Sequence, residues 1–422
     1  MAVPGSRWNV PLAVVAALAV AQAGVFLLRP RDGVIDPAPV DPRAHFSRAE
    51  LERARDFRGP QRLIGLGTLA VEGALLVWLV ARPPRALTRR RRRPVLAAAA
   101  AGAVLSVGLG AAAVPLQAVA HQRAADVGLS TQGWVDWTGD LAKSWAIGAV
   151  FAGAGAGAGI ALIRRFPRGW WLPASGVVVA FGVATTYLGP VVLEPIFNRF
   201  TPLPEGRTRA DVIELARRAG VDVGEVYEVD ASRRTSGANA YVSGLGRTKR
   251  VVLYDTLLKR FERDEIRLVV AHELGHVRYR DVPHGLLYLA LVAPAGMFAA
   301  AVMTRRLAPP DAGAGPAVLP ALALAVLVLS TSITIVSNQL SRRVEARADT
   351  YALELTRAPD AFIAFERRIT VQNVSDPDPP RWAQVLFGTH PTTVERIGAA
   401  VAFRTSGLRA AGPADRRTPG GS

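Results

Sequence analysis

Cysteine is absent from the sequence, and histidine is scarce, with six in 422 residues. The lack of cysteine excludes disulfide bridges, thiolate ligands for a metal ion and a cysteine nucleophile. Any metal ion must therefore be held by nitrogen and oxygen atoms. Acidic residues are also few, since 34 aspartates and glutamates face 51 lysines and arginines and leave a formal net charge of +17.

Long apolar stretches are abundant, because half of the residues are hydrophobic and the mean hydropathy is +0.21. This composition is too apolar for an ordinary soluble enzyme. Seven stretches approach the length of about 20 residues that crosses a bilayer, namely 10–28, 62–81, 94–118, 141–163, 170–190, 284–303 and 317–338. The first resembles a signal peptide, but its apolar run continues to Leu28, so we expect a retained anchor. Glu72 lies inside the second, where an acid usually faces protein or a wet cavity.

The positive charge of the chain is carried mainly by arginine, which is typical of nucleic-acid-binding proteins. Most of these arginines flank apolar stretches, however, where cytoplasmic loops and anionic lipids account for them. We therefore expect the lipid bilayer, and no nucleic acid, as a partner. The heavy use of alanine, arginine and glycine indicates a high-GC genome and hence a bacterial cell membrane. Arginines in residues 29–61 place the later polar segments in the cytoplasm, although Arg89–Arg93 disagree.

His272, Glu273 and His276 form the most informative motif, H-E-L-G-H, which matches H-E-x-x-H. Residues four apart lie on one face of an α-helix, so the two imidazoles can share one Zn²⁺. Glu273 can then hold and deprotonate the attacking water. Asp264 and Glu265, followed by apolar residues at helical spacing, predict a helix over about residues 264–281.

A catalytic zinc needs a third protein ligand, and the sequence offers several candidates. His284 and Asp281 are close to the motif, whereas Glu345 is distant. Glu345 and Asp349 are one helical turn apart, so Glu345 can bind the metal while Asp349 hydrogen-bonds a zinc-binding imidazole. On spacing alone, ordinary charge pairs on a surface helix explain these two acids equally well.

The apolar and polar segments together predict a mainly α, polytopic membrane protein with about seven transmembrane helices. A small α+β zinc metalloprotease module is split around the last two spans. We expect a helix over Asp211–Ala219, a strand at Val226–Val229, and a hairpin of Ala238–Ser243 and Arg250–Tyr254 turning at Gly244–Gly246. The expected division is a membrane domain at 1–190, the first module part at 191–282, two spans at 283–338, the second module part at 339–404 and a disordered tail at 405–422.

Several of these motifs together resemble the type I CaaX prenyl proteases, which are integral-membrane zinc metalloproteases of the gluzincin kind. The resemblance rests on H-E-L-G-H, on S-R-R-V-E-A-R-A-D at 341–349 and on seven spans around a split module. It extends to Asn239-Ala240-Tyr241, to Val251–Leu258 and to His390-Pro391 with Arg396. The matching blocks run from about 235 to 400, whereas the first five spans match only in number and placement.

The resemblance implies His272, His276 and Glu345 as ligands of one Zn²⁺ and Glu273 as the general base. It implies that Asn239, Ala240 and Tyr241 line the cleft and pair with an extended substrate by strand addition. It also implies that His390 and Arg396 lie near the substrate and stabilise the oxyanion. A large water-filled chamber within the seven helices belongs to the same expectation.

The expected activity is hydrolysis of a peptide bond by a zinc-activated water, with a peptide or protein substrate whose prenylation stays open. A membrane-protein quality-control metalloprotease is the alternative within the same chemistry, but such enzymes usually have fewer spans. A non-catalytic membrane scaffold or transporter with a decayed metal site is the alternative from another class. The intact Glu273, Glu345 and Asp349 argue against it.

Overall fold

The helices that could cross a membrane dominate the architecture. The computed structural model describes residues 9–89, 91–244, 249–310 and 312–410. Within these ranges, seven helices are long and apolar enough to cross a membrane, so the predicted fold class is confirmed. The first five are α1 (Asn9–Leu28), α2 (Arg48–Ala81), α4 (Pro94–Asp126), α5 (Trp134–Arg165) and α6 (Trp171–Val192), with the short α3 (Arg85–Thr88) between α2 and α4.

A polar module of helices and one small sheet follows the fifth membrane helix. Its elements are α7 (Glu194–Phe197), β1 (Phe200–Pro202), α8 (Arg207–Arg218), β2 (Glu225–Val229), β3 (Ala240–Ser243), β4 (Arg250–Tyr254), α9 (Asp255–Arg260) and α10 (Arg263–Arg278). The strand order is β1-β2-β4-β3, with β2 parallel to β4 and the other pairs antiparallel. The hairpin of β3 and β4 is as predicted, while residues 245 and 246 of its turn lie outside the described residues.

The last two membrane helices return the chain to the module. They are α11 (Asp281–Leu307) and α12 (Leu319–Thr356), and α13 (Pro359–Gln372), α14 (Arg381–Phe387) and α15 (Thr393–Ala410) complete the fold. No proline or glycine interrupts α12 after its apolar part, so this helix continues for 18 residues beyond the predicted end of the span at 338. This continuation carries Glu345 and Asp349 to the module. Helix α15 extends past residue 404, where the tail is predicted to begin, and residues 411–422 lie outside the described part.

Apolar side chains of the sheet and of α8, α9 and α10 form the core of the module. The fully buried members include Leu215, Val226, Val251, Leu253, Leu257, Val270 and Leu274. This core fixes α10 against the sheet and leaves β3 as an edge strand. Burial of these side chains is the main stabilising term for the module.

A cavity of about 670 Å³ lies among α4, α5, α6, α11 and α12 in the membrane part. Its lining is mainly aliphatic and small, with residues such as Leu105, Val177 and Leu322. Small residues bring α4 and α5 together, because a Cβ on Gly153 would lie 3.0 Å from the carbonyl oxygen of Ala99. Glu72 is half-buried in α2 and is not among the residues that line this cavity.

Candidate metal centre

The helix of the H-E-L-G-H motif begins with a local cap. The backbone N–H of Glu262 donates to the carboxylate of Glu265 at 2.7 Å, and Asp264 joins Glu265 in the first turn. The helix ends at Arg278, and Arg280 takes a left-handed conformation (φ 57°) before α11 starts at Asp281. This sharp connection brings Asp281 back beside His276.

Helix α10 lies very close to α12. A Cβ built on Gly275 would be 3.3 Å from the Cα of Ala348 and 3.2 Å from the Cδ1 of Tyr351. Only glycine permits this approach without displacing the backbone of α12. The close contact brings the two histidines of α10 within reach of the acids of α12.

His272, His276 and Glu345 direct three ligand atoms to one point. The two Nε2 atoms are 3.2 Å apart, and Oε2 of Glu345 lies 3.2 Å from Nε2 of His272 and 3.7 Å from Nε2 of His276. Among the described residues, these three form the group whose ligand atoms all lie within 4.8 Å of one another. His284 and Asp281, the other candidate third ligands, are not part of it.

Two carboxylates fix the orientation of the histidine rings. Nδ1 of His272 donates to Asp349 at 2.9 Å, and Nδ1 of His276 donates to Asp281 at 2.9 Å. With the protons on Nδ1, both Nε2 lone pairs face the buried Oε2 of Glu345, which has no hydrogen-bond partner among the described residues. Three acceptor atoms converge without a donor between them, so the donor set fits a divalent cation.

The electrostatics of the pocket favour positive charge at the same point. Burial lowers the pKa of His272, but the carboxylates of Asp349 and Glu345 outweigh it and raise the pKa to about 10. In the same way, Asp281 and Glu345 overcome burial and raise the pKa of His276 to about 9. Two protonated rings cannot face each other at 3.2 Å without repulsion, whereas one metal ion satisfies all three acceptors.

Glu273 also lies on α10, where the charges of the neighbouring histidines affect the pKa of its carboxyl group. Burial raises the pKa of its carboxyl group, while positive charge on His272 and His276 lowers it. A carboxyl group with a raised pKa accepts and returns a proton more readily near neutral pH than an ordinary glutamate does.

Arg396 is held by buried carboxylates of α12 and α13. Its guanidinium group donates hydrogen bonds to Asp349 from Nε at 2.8 Å and from Nη2 at 2.5 Å. Its Nη1 forms an ion pair with Oε1 of Glu366 at 2.8 Å, although this oxygen accepts no hydrogen bond within the described residues. Asp349 and Glu366 are almost fully buried. All three guanidinium nitrogens therefore contact carboxylates on the side of His272 that faces Asp349. This geometry favours a positioning role for Arg396 over contact with an oxyanion.

His390 lies beside the three converging atoms. Its Nε2 is 3.2 Å from Oε2 of Glu345, and its Nδ1 is 2.9 Å from Oγ1 of Thr389. Desolvation lowers the pKa of His390, although Glu345 raises it in part. More than half of this side chain is exposed, so it can reach a bound substrate.

Asn239, Ala240 and Tyr241 lie at the edge of the sheet and next to α10. The carbonyl of Asn239 accepts from the N–H of Tyr254 at 3.1 Å, which places residues 239, 241 and 243 in the hydrogen-bonded set of the β3–β4 pair. By alternation, the N–H and C=O groups of Ala240 and Val242 point away from β4. Among the described residues no strand pairs with this edge, where Ala240 is buried and Val242 is partly exposed.

Sequence reasoning missed two features of this centre. Asp281 is a hydrogen-bond partner of His276 rather than a metal ligand candidate, and Arg347 in turn donates to Asp281 at 2.5 Å. Glu366 carries no motif at all, and its pairing with Arg396 follows only from the packing of α13 on α15. The five-residue spacing of His276 and Asp281 was the one signal that could have identified the first feature.

Comparison with known proteins agrees with this geometry. Residues 202–403 match the family model of peptidase family M48, and residues 96–199 match that of the CAAX prenyl protease N-terminal region with five membrane helices. The uncharacterized metalloprotease YhfN of Bacillus subtilis is 33% identical over 291 residues, which are 67% of this chain and 68% of the relative. The chain belongs to peptidase family M48.

Other relatives of this M48 chain bear the names of prenyl proteases. The CAAX prenyl protease 1 homolog of Oryza sativa subsp. japonica is 31% identical over 53% of this chain and 54% of its own length. The chain thus spans about two thirds of the bacterial relative and about half of the plant one. The crystal structure of S. mikatae Ste24p superposes with a TM-score of 0.71 at 20% identity, covering 94% of this chain and 100% of that chain, which shows the same fold.

The protein is a multi-pass membrane metalloprotease, a hydrolase that acts on peptides or proteins with a divalent metal. This membership, together with the intact Glu273, Glu345 and Asp349, supports an enzyme over a non-catalytic scaffold or transporter.

Proposed function

We propose that the protein is a zinc-dependent endopeptidase in which His272, His276 and Glu345 hold one Zn²⁺. The convergence of their three acceptor atoms carries this proposal. Nitrogen and oxygen donors with two histidines and one glutamate are a common set for catalytic zinc, which keeps a further position open. The test is peptide cleavage that a chelator abolishes and that stoichiometric zinc restores.

We assign proton transfer to Glu273. When bound, zinc supplies a Lewis acid that acidifies water and polarises a carbonyl group. Glu273 takes the proton from the attacking water and passes it to the leaving amine. Asp349 and Asp281 keep the two imidazoles in the tautomer that presents Nε2, which is the usual function of such partners.

His390 and Arg396 then have separate roles in this proposal. The exposed His390 faces Glu345 and the cleft, so we assign it to stabilise the oxyanion that forms on the attacked carbonyl. Arg396 is a positioning residue, because it holds Asp349 rather than facing the cleft. This role replaces the oxyanion role that the resemblance implies for Arg396.

The substrate is held, in this proposal, as an additional strand on β3. Ala240 and Val242 offer outward backbone groups, and β3 contacts the helix that carries Glu273. Backbone pairing gives affinity without demanding a particular sequence. Asn239 and Tyr241 flank this site, and the hydroxyl of Tyr241 donates to Glu194 at 2.6 Å, which ties the strand to the end of the fifth membrane helix.

We infer that the substrates are peptides or proteins at the membrane surface, and that nucleic acid is not a partner. Prenylated CaaX peptides are one candidate class, since several relatives are named CAAX prenyl proteases. Quality control of membrane proteins is the alternative. Cleavage of a farnesylated CaaX peptide, measured against its unmodified twin, separates the two.

We propose cytoplasmic placement of the module in a bacterial membrane on the basis of the arginines in residues 29–61, although the paired and unpaired arginines at the two ends of the bundle oppose it. Arginines of α2 on the module side bond to protein, as Arg62 does to Asp376 and Arg58 to the carbonyl of Val374. The opposite end of the bundle carries exposed arginines that form no salt bridge with any described residue, and these favour the reverse orientation. They are Arg82, Arg85, Arg89, Arg91, Arg92, Arg93, Arg164, Arg165, Arg168, Arg305 and Arg306.

The absence of cysteine gives this question a direct test. Glu205→Cys on the module and Arg92→Cys at the other end each introduce one thiol. With a membrane-impermeant maleimide on intact cells, cytoplasmic placement of the module predicts labelling of the second variant alone. Labelling of the first variant alone would reverse the assignment.

The division into 1–190, 191–282, 283–338 and 339–404 is kept as the proposed domain scheme.

A further inference from the structure

A pocket that Asp281 also lines lies next to the metal centre. It has a volume of about 640 Å³ and is bounded by the end of α1, the start of α11 and the middle of α12. Arg29, Arg31, Tyr288 and Arg347 are among its lining residues. None of these four is part of the group that converges on the metal.

Two residues that line this pocket carry a buried hydrogen-bond donor without an acceptor among the described residues. The hydroxyl of Tyr288 and Nε of Arg347 are buried atoms without a hydrogen-bond partner among the described residues. Tyr288 is only 9% exposed. Nη2 of Arg347 donates a hydrogen bond to Asp281 at 2.5 Å, whereas Nε of the same side chain has no acceptor among the described residues. Buried donors without acceptors cost free energy, and a pocket that contains two of them fits a ligand rich in acceptor oxygens.

The net charge of the residues that line the pocket indicates that the ligand is an anion. Arg29, Arg31 and Arg347 contribute three positive charges, while Asp32 and Asp281 contribute two negative ones, which leaves a net charge of +1. The exposed His284 also lines the pocket. A singly charged anion with several acceptor oxygens, such as a phosphodiester, complements this arrangement.

The position of the pocket favours a lipid over a soluble anion. The guanidinium groups of Arg29 and Arg31 lie 4.8 and 5.6 Å from the ring centroid of Phe26. Phe26 is 53% exposed near the end of the first candidate span. Arginines beside an exposed aromatic ring at the end of a span are typical of the level of the lipid headgroups.

We propose that this pocket binds the phosphate-bearing headgroup of an anionic phospholipid. Tyr288 and Nε of Arg347 donate to phosphate oxygens, and Arg29 and Arg31 balance the charge. Because Arg347 also bonds to Asp281, which orients His276, the headgroup contacts the network behind one metal ligand. The site does not depend on the identity of the metal or of the peptide substrate.

The test uses the full chain in vesicles of phosphatidylcholine with and without phosphatidylglycerol. The variant is Arg31→Gln combined with Tyr288→Phe, which removes one exposed charge and one hydroxyl without a partner. The matched control is Arg165→Gln with Tyr187→Phe, since Arg165 is exposed and lies 5.0 Å from the Phe166 ring at the opposite end of the bundle, and Tyr187 is partly exposed outside the pocket. Circular dichroism and metal content verify that each variant folds.

Native mass spectrometry gives the occupancy, and the thermal midpoint gives an independent readout. We expect wild type and control to retain phosphatidylglycerol in preference to phosphatidylcholine and to gain stability from it. The pocket variant should lose at least about tenfold in phosphatidylglycerol affinity. Equal retention of the two lipids, or equal retention by variant and wild type, would overturn the proposal. Equal stabilisation by inorganic phosphate would overturn the assignment to a lipid.

Discussion

Asp349 accepts a hydrogen bond from Nδ1 of His272 at 2.9 Å, and this bond directs the opposite nitrogen of the ring to Glu345. Asp281 does the same for His276 from another helix. The metal centre is therefore held by two carboxylates that would not touch the metal. Loss of such a partner typically reduces metal affinity or activity by about 10- to 100-fold.

The first prediction concerns Asp349→Asn. The amide keeps the size of the side chain but removes the charge that binds Arg396 and fixes the tautomer of His272. We expect zinc affinity to fall by about 10- to 100-fold, measured by competition with a chromophoric chelator. Asp360→Asn, at an exposed carboxylate on α13, is the matched control. Unchanged zinc affinity in Asp349→Asn would contradict the assigned role.

A second prediction separates the base from the ligand. Glu273→Gln should bind one zinc per chain and lose about 10²- to 10⁴-fold in peptide cleavage, because only proton transfer is removed. Glu345→Gln should lose zinc as well as activity, because an amide oxygen is a weaker ligand than a carboxylate. Elemental analysis and a peptide assay on the same samples provide the comparison. The assignment fails if the two variants retain equal zinc.

The third prediction concerns Glu366, a carboxylate without a motif. Burial raises its pKa, while Arg396 opposes that rise. Glu366→Leu removes the carboxylate that forms an ion pair with the buried guanidinium of Arg396, and it should cost about 1–3 kcal/mol in unfolding free energy. Glu366→Gln keeps an acceptor at that end and should recover most of the loss. Equal destabilisation by both changes would show that Arg396 does not depend on this oxygen.

The fourth prediction is a pH dependence at the start of α10. Hydrogen bonds from Arg263, opposed by burial and aided by Arg267, lower the pKa of Asp211. A carboxyl group with a lowered folded-state pKa stabilises the fold above its unfolded pKa of about 3.9 and loses that contribution as the pH falls through the folded value. Asp211→Asn should therefore be about 1 kcal/mol less stable than wild type at pH 7. Thermal unfolding should show this difference narrowing below pH 4, and a constant difference would contradict the pairing.

The fifth prediction tests the close contact of α10 with α12. Gly275→Ala places a methyl group 3.3 Å from the backbone of Ala348, so we expect a loss of about 1–3 kcal/mol in stability and weaker zinc binding. Gly59→Ala is the control, because nothing lies within 4 Å of its built Cβ. Zinc titration and thermal unfolding check both. Unchanged stability and zinc affinity in Gly275→Ala would show that α10 and α12 can move apart without affecting the fold or the metal centre.

The sequence was sufficient to predict the seven spans, the β3–β4 hairpin and the helix of His272 and His276. These predictions rest on the local spacing of apolar residues, which can be read directly from the sequence. The partnership of Glu345 with the histidines came from the resemblance, since spacing alone also fits a surface charge pair. The sequence did not predict that Arg396 pairs with Asp349 and Glu366. These contacts depend on how α13 and α15 pack on α12.

The placement of the third donor beyond two membrane helices has a consequence for biosynthesis. A nascent chain that has emerged only as far as α10 carries both imidazoles and the glutamate base, but Glu345 is still to be translated. The hairpin of α11 and α12 must enter the bilayer before Glu345 can meet its partners on α10. In the proposed zinc centre, hydrolytic competence is thereby coupled to completed insertion of α11 and α12.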